Sequence, residues 1–257
     1  MKVVIEYKGL IGMRRRVVDI PERWGALSER QYRAVVQWWM SCESGGASMY
    51  RAVSRLLESL LRLPMNVVGR LGEYQVWALM ERLSWLRDIM MPHNDFFIKQ
   101  LGTLCAPLPK LKGVTLQKYM TVDTFYQLAA LHPDDEKRLD MFIASLYNKP
   151  GEVFSEVNID ANMRELKKVG RLEKMAVFIN FALIRSWLSR SFPWLFPSGD
   201  GEGEAHGEKR TVTPWLEIFD AFVGDDVSNM EKYRTMECMD AFRVMNRRLK
   251  MRAKAKP

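Results

Sequence analysis

Cysteine and histidine are scarce in this sequence, and neither residue type is clustered. The cysteines are Cys42, Cys105 and Cys238, and the histidines are His93, His132 and His206. Three distant cysteines with no CxxC pair indicate neither a disulfide framework nor a zinc site, and they suit a reducing compartment. The histidines fall in no HExxH or other metal-ligand spacing. We therefore expect no metal and no cofactor.

Long apolar runs are also missing. The most apolar segment, residues 175–188, contains Asn180 and Arg185 and is shorter than the ~20 apolar residues needed to span a bilayer. Charge interrupts the first eight residues too early for a secretory signal peptide. We expect a soluble cytoplasmic protein that does not bind membranes.

Familiar catalytic motifs do not occur. There is no GxSxG nucleophile elbow and no GxxxxGK[ST] phosphate loop. The glycine-rich segment 198–208 carries four acids, which would repel a phosphate, and it lacks the ligand order of an EF-hand. Acid pairs at 134–135 and 225–226 adjoin predicted helix starts, where acids are favoured without catalysis. We predict a protein that is not an enzyme.

What the sequence does contain is helical patterning on an ordinary globular composition. Hydrophobic residues make up 47% and charged residues 27%, enough for a sizeable core in one large domain or two small ones. β-branched runs on either side of Gly9 and Gly12 predict a small N-terminal β-hairpin. We predict a mainly α protein, a multi-helix bundle around a central apolar helix at about 171–191.

Local signals place several element boundaries. Ser28 and Gln31 have the spacing of a capping box and predict a helix at about 28–42. Thr121 is expected to cap another helix, and residues 96–98 to form a short strand. Ser228 and Glu231 predict the start of one long final helix. Further helix starts are expected at Pro133 and at Thr213–Pro214.

The expected organisation has four parts. Residues 1–21 form the hairpin, 22–197 a helical core domain, 198–210 a flexible acidic loop, and 211–257 a helical C-terminal subdomain with a basic tail. A single compact body is favoured over two domains, and 198–210 is the best candidate boundary because glycine and acid dominate it.

Basic residues are concentrated at two places in a chain of net charge +8. From Arg243 onward there are seven basic residues and no acid, and an arginine triplet lies in the hairpin. Docking on nucleic acid or an acidic partner is one interpretation. A solvated terminus and a charged strand edge are the other. The candidate contacts are Arg14, Arg15, Arg16, Arg247, Arg248, Lys250, Arg252 and Lys254.

Methionine and tryptophan are abundant, at 17 and eight residues. Such side chains form adaptable apolar surfaces for partner proteins, or they fill the core. Adjacent tryptophans at 38 and 39 cannot both face one core from one helix, because neighbouring positions are ~100° apart. The candidate partner-binding residues are Trp38, Trp194, Trp215, Met236 and Met239.

Three segments together resemble one family. Residues 20–32, IPERWGALSERQY, resemble the opening "IPexWxeLTxeQf" of small helical proteins from tailed phages and prophages of Bacteroidetes. Residues 120–126, MTVDTFY, are similar to their "lTvxeF" helix start. Residues 139–150, LDMFIASLYNKP, are similar to their helix end "LxxfiaxLYrp". The resemblance covers roughly residues 20–190.

The resemblance implies a tail-assembly or tape-measure chaperone-like protein. Such a protein is helical, is not an enzyme, and would shield the apolar helices of a phage tail or tape-measure protein until assembly. The chain departs from the pattern at Lys149, where arginine is usual, and the hairpin and basic tail lie outside it. Two alternatives stay open: a structural neck or tail component of the virion, and a nucleic-acid-binding protein using the basic tail.

Overall fold

A computed structural model describes residues 1–9, 11–42, 47–88, 91–197 and 212–255. About 62% of the chain is helical, which confirms the predicted mainly α class. The chain divides into two compact units, Met1–His93 (unit 1) and Asn94–Pro257 (unit 2). The expected loop at 198–210 lies outside the described residues, and the domain ranges expected on either side of it stay predictions.

Unit 1 begins with the predicted hairpin. Strands β1 (Lys2–Lys8) and β2 (Met13–Asp19) pair antiparallel, with Val4 opposite Val17 and Ile5 opposite Arg16. Gly12 takes a positive φ of 71° in the turn, a conformation that glycine adopts without strain. Alternation buries Ile5 on one face and leaves Val4 and Val17 exposed on the other.

Four α-helices follow among the described residues of unit 1. They are α1 (Glu29–Cys42), α2 (Ala47–Leu61), α3 (Met65–Val68) and α4 (Glu73–Arg82). The predicted capping box is formed: Gln31 N–H donates to Ser28 Oγ at 3.3 Å, and Ser28 N–H donates to Gln31 Oε1 at 2.9 Å. Gln31 also donates from Nε2 to the Leu60 carbonyl at 3.3 Å, so the cap joins α1 to the end of α2.

Unit 2 contains a two-stranded sheet and seven helices among its described residues. They are β3 (Gln100–Leu101), β4 (Leu104–Cys105), α5 (Leu116–Leu131), α6 (Glu136–Leu146), α7 (Val157–Leu166), α8 (Arg171–Ser191), α9 (Trp215–Val223), α10 (Met230–Thr235) and α11 (Cys238–Ala255). The predicted central helix is confirmed as α8, which buries Val177, Phe181 and Leu188. Within the described ranges, no helix is long and apolar enough to cross a membrane.

Aromatic rings hold the helices of unit 2 together. The Phe181 ring of α8 lies 5.0 Å from Tyr126 of α5 and 5.2 Å from Phe142 of α6, measured between ring centroids. The Phe242 ring of α11 meets Tyr119 of α5 edge-on at 4.7 Å. These distances and tilted geometries are those at which aromatic pairs attract beyond simple burial.

The strand expected at residues 96–98 is absent. The two-stranded sheet of unit 2 begins shortly after these residues, with β3. The backbone at residues 96–98 bonds to side chains instead of to a neighbouring strand. Phe97 N–H donates to Asn180 Oδ1 at 2.7 Å, and the Ile98 carbonyl accepts from the Tyr147 hydroxyl at 2.5 Å. Apolar side chains are buried there as in a strand, but no ladder forms.

Two predicted helix boundaries are wrong for a shared reason. Helix α5 begins at Leu116 under a Thr115 cap, so Thr121 lies inside it. The single final helix expected from Ser228 is broken into α10 and α11. At the break, Leu116 N–H donates to the Met236 carbonyl and Cys238 N–H to the Val114 carbonyl, each at 2.8 Å. This pairing starts α5 and interrupts the last helix at the same place.

A buried carboxylate joins three helices of unit 2. Asp123 of α5 is fully buried, and its Oδ1 lies 3.1 Å from Arg185 Nε of α8. Its Oδ2 accepts from Trp215 Nε1 of α9 at 2.9 Å and from Gln127 Nε2 at 2.5 Å. The Arg185 guanidinium also lies 5.2 Å from the centre of the Tyr126 ring. The carboxylate is therefore matched by a charge and by donors from both neighbouring helices.

We expect Asp123→Ala to lower the free energy of unfolding by about 2–4 kcal/mol, because it leaves the Trp215 indole N–H without its acceptor and the partly exposed Arg185 guanidinium without its counter-charge. Urea denaturation followed by circular dichroism measures this loss. The control is Asp160→Ala at an exposed position of α7, which should change stability by no more than about 0.5 kcal/mol. Equal effects of the two substitutions would contradict a central role for Asp123.

Candidate nucleic-acid interface

Helix α11 carries a stripe of basic residues along its exposed side. Arg243, Arg247, Lys250 and Lys254 recur at i, i+4, i+7 and i+11, which places them on one face of the helix. Phe242 and Met245 are buried on the opposite side. We call these four residues the basic stripe, and it points away from the core of unit 2.

The last turns of α11 have no buried side. Every residue from Lys250 to Lys254 is exposed, so this part of the helix extends beyond the packed body of unit 2. The basic stripe extends over eleven residue steps, from Arg243 to Lys254, which at the rise of an α-helix is about 16 Å. The stripe is therefore a straight row of cations on an accessible rod.

Most charges at this end of α11 are not neutralised. Arg243 is paired with Asp240 one turn earlier. Arg247, Lys250, Arg252 and Lys254 make no ion pair with any residue that the structure describes. Cations in the last turn also stabilise the helix through its macrodipole, whose negative end lies there.

Arg248 has a different role from its neighbours. Its Nη1 donates to the Phe222 carbonyl at 2.7 Å, and its guanidinium lies 5.3 Å from the centre of the Phe222 ring. Phe222 is in the last turn of α9, where carbonyls lack a partner within the helix. Arg248 thus fastens α11 to α9, and the guanidinium is already engaged within the protein.

The hairpin arginines do not form one patch. All three are exposed, but alternation along β2 places Arg15 on one face of the ribbon and Arg14 and Arg16 on the other. Arg15 Nε lies 2.5 Å from Glu6 Oε1 on the paired strand. The Arg14 side chain crosses the turn so closely that a β-carbon at Gly9 would lie 2.9 Å from its Nε.

The candidate partner-binding residues are distributed between core and surface. Trp38 in unit 1 and Trp215 in unit 2 are only 3% and 4% exposed, so a partner surface does not include their rings. Met236 and Met239 are half-buried. Trp194, at 45%, is the one that is well exposed. The structure does not gather the five residues into one surface.

An exposed aromatic pair on α4 was not singled out from the sequence. Tyr74 is 78% exposed and Trp77 is 60% exposed, and their ring centroids are 6.3 Å apart. The sequence signal was present, because three-residue spacing places both rings on one face of a helix. The helix instead buries Leu79.

A buried lysine is the most perturbed basic group of α5. Lys118 is 7% exposed, and burial lowers the pKa of its ammonium from 10.5 to about 8, against the opposing effect of Glu152. The ammonium lies 5.8 Å from the centre of the Phe154 ring. Across the ranges that the structure describes, no group of three Cys, His, Asp or Glu side chains is placed to hold a metal ion.

Comparisons of the chain with protein-family models, with curated proteins and with solved structures found no match. The function must therefore be inferred from the surfaces themselves.

We expect Lys118→Met to raise the free energy of unfolding at pH 7 by up to about 3 kcal/mol, since a pKa lowered from 10.5 to about 8 corresponds to about 1.4 kcal/mol per pH unit. Between pH 8 and 10.5 the unfolded chain holds a proton that the folded chain has lost. This group therefore makes the wild-type protein more stable as pH rises through that window, and the advantage of methionine shrinks.

Urea titrations at pH 7, 9 and 10.5 test this dependence, with Lys137→Met at an exposed position of α6 as the control. A gain for Lys118→Met that is the same at all three pH values would show that packing, and not the buried charge, is responsible.

Proposed function

We propose that this protein acts by binding and not by catalysis, and that the basic stripe of α11 binds the phosphates of double-stranded nucleic acid. The observation that carries the proposal is the row of cations on a helix end that is exposed on every side. Nucleic-acid affinity depends chiefly on neutralising phosphates with lysine and arginine. Three members of the stripe, all except Arg243, have no acidic partner among the described residues.

The dimensions of the stripe suit a duplex. A length of about 16 Å corresponds to about five nucleotides of one strand at roughly 3.4 Å each. The major groove of B-DNA admits an α-helix, and the free end from Lys250 onward has the exposure that such an approach requires. No aromatic residue lies on the stripe, so the contacts would read the backbone and not stacked bases.

The test neutralises the stripe with Arg247→Gln, Lys250→Gln and Lys254→Gln together. We expect weaker binding to a labelled DNA duplex. The slope of log affinity against log salt, which is negative, should become shallower by about 2.7, or about 0.9 for each lost phosphate contact. Fluorescence anisotropy at several salt concentrations measures both quantities.

The matched control removes the same charge elsewhere in unit 2 through Lys137→Gln, Lys149→Gln and Lys167→Gln, all at exposed positions. It should keep most of the affinity and the slope. If the control loses as much as the stripe variant, net charge alone explains the binding. If the wild-type protein does not bind DNA, the proposal is wrong.

A second candidate function is that of a tail-assembly chaperone-like protein. One of the three segments that carry the resemblance ends a helix as its pattern does, since α6 ends at Leu146 before Tyr147. The segment 120–126 lies inside α5 and not at a helix start. Exposed rings at Tyr74 and Trp77 would provide apolar contacts for a partner helix.

This candidate predicts that the protein co-purifies with a tape-measure or other tail protein from the same genome and raises the soluble yield of that protein. Tyr74→Ala with Trp77→Ala should reduce both effects, while Arg23→Ala at another exposed position of unit 1 should not. Pull-down after co-expression, with and without the substitutions, checks the prediction.

The same experiment has two unfavourable outcomes. If the tail protein neither co-purifies with this chain nor becomes more soluble, the chaperone proposal is wrong. Presence of the chain in purified particles, detected by mass spectrometry, would instead favour a structural neck or tail component, because a chaperone leaves before assembly is complete.

A further inference from the structure

A shallow groove runs between α1 and α2 of unit 1 and continues to β2. It consists of three adjoining depressions of about 380, 430 and 560 Å³. Arg30, Glu58 and Ser59 line two of them, and Gln31 and Arg62 connect the third. The depressions therefore form one continuous surface.

Arginine supplies every positive charge in this groove. Five arginines line it, against three acids, Asp19, Glu29 and Glu58. Arg33 is paired with Glu29 at 2.8 Å. The other four make no ion pair within the described part of the chain, and they are Arg16, Arg30, Arg55 and Arg62. The groove therefore holds an excess of positive charge that the protein itself does not neutralise.

The chemistry of the lining favours phosphate. A guanidinium presents a planar fork of donors that matches a phosphate with two parallel hydrogen bonds, which lysine cannot do. Arginine side chains are typical donors to phosphate oxygens.

We infer that this arginine groove binds the sugar-phosphate backbone of a single-stranded nucleic acid. A positively charged groove that follows the backbone is the usual way in which proteins hold a single strand without sequence preference. No aromatic side chain lines the three depressions, so binding would depend on phosphates and show little sequence preference. The inference is independent of the basic stripe, which lies in the other unit.

The experiment measures binding of single-stranded DNA by the groove. It uses a background protein whose basic stripe is already neutralised by Arg247→Gln, Lys250→Gln and Lys254→Gln. The probe is a fluorescein-labelled oligo-dT strand, followed by anisotropy at several salt concentrations. We expect this background protein to keep salt-dependent binding. Adding Arg30→Gln, Arg55→Gln and Arg62→Gln should make the negative slope of log affinity against log salt shallower by about 2, or about 0.7 for each lost contact.

The matched control adds Arg23→Gln, Arg51→Gln and Arg87→Gln, which are exposed in unit 1 but do not line the groove. It should bind as the background does. Circular dichroism and melting curves of all variants show whether each is folded, since exposed arginines are replaced and little change in stability is expected.

Three outcomes would overturn the inference. They are a background protein that does not bind oligo-dT, equal losses in the groove and control variants, and displacement of oligo-dT by poly-glutamate as readily as by unlabelled oligo-dT. The last would assign the groove to acidic protein segments. Because the basic stripe is tested with a duplex and with other residues, failure of either proposal leaves the other intact.

Discussion

The buried side chain of Asp123 imposes the central constraint on unit 2, because a carboxyl group removed from water needs polar partners in its surroundings. Its partners come from different parts of the chain, Arg185 on α8 and Trp215 on α9. Helix α9 is therefore positioned so that the Trp215 indole N–H can donate to Asp123. Helix α9 in turn holds α11, because Arg248 of α11 donates a hydrogen bond to the Phe222 carbonyl in the last turn of α9. The helix that carries the basic stripe is thus connected to Asp123 of α5 through α9.

The break between α10 and α11 contributes to the same arrangement. Backbone hydrogen bonds from Leu116 and Cys238 hold the chain before α5 against the residues between the two helices. Helix α11 begins at this break and buries Phe242 against Tyr119. The opposite side of α11 presents Arg247 and Lys250.

The two units present positive charge in different forms. On α11 the cations form a convex row that stands clear of the body, a shape suited to the outside or the groove of a duplex. Between α1 and α2 the cations line a concave surface and are all arginines, a composition suited to gripping individual phosphates. Arg55 belongs to the polar face of the amphipathic helix α2, and Arg62 follows the last residue of that helix. Such a face is usually taken as solvated. Its position opposite Arg30 of α1 is what makes it a groove.

Some properties of this protein follow from the sequence alone because their causes are local. A capping box forms within one helical turn, so Ser28 and Gln31 predict the start of α1 correctly, and apolar content predicts α8. The basic stripe is also present in the order of residues from Arg243 to Lys254. Other properties depend on residues that meet only in the folded chain. Trp215 is buried because Asp123 needs its N–H, Arg248 is engaged because α9 ends beside it, and the groove exists because two helices pack. Burial and partnership are decided by distant segments, and no local pattern carries that information.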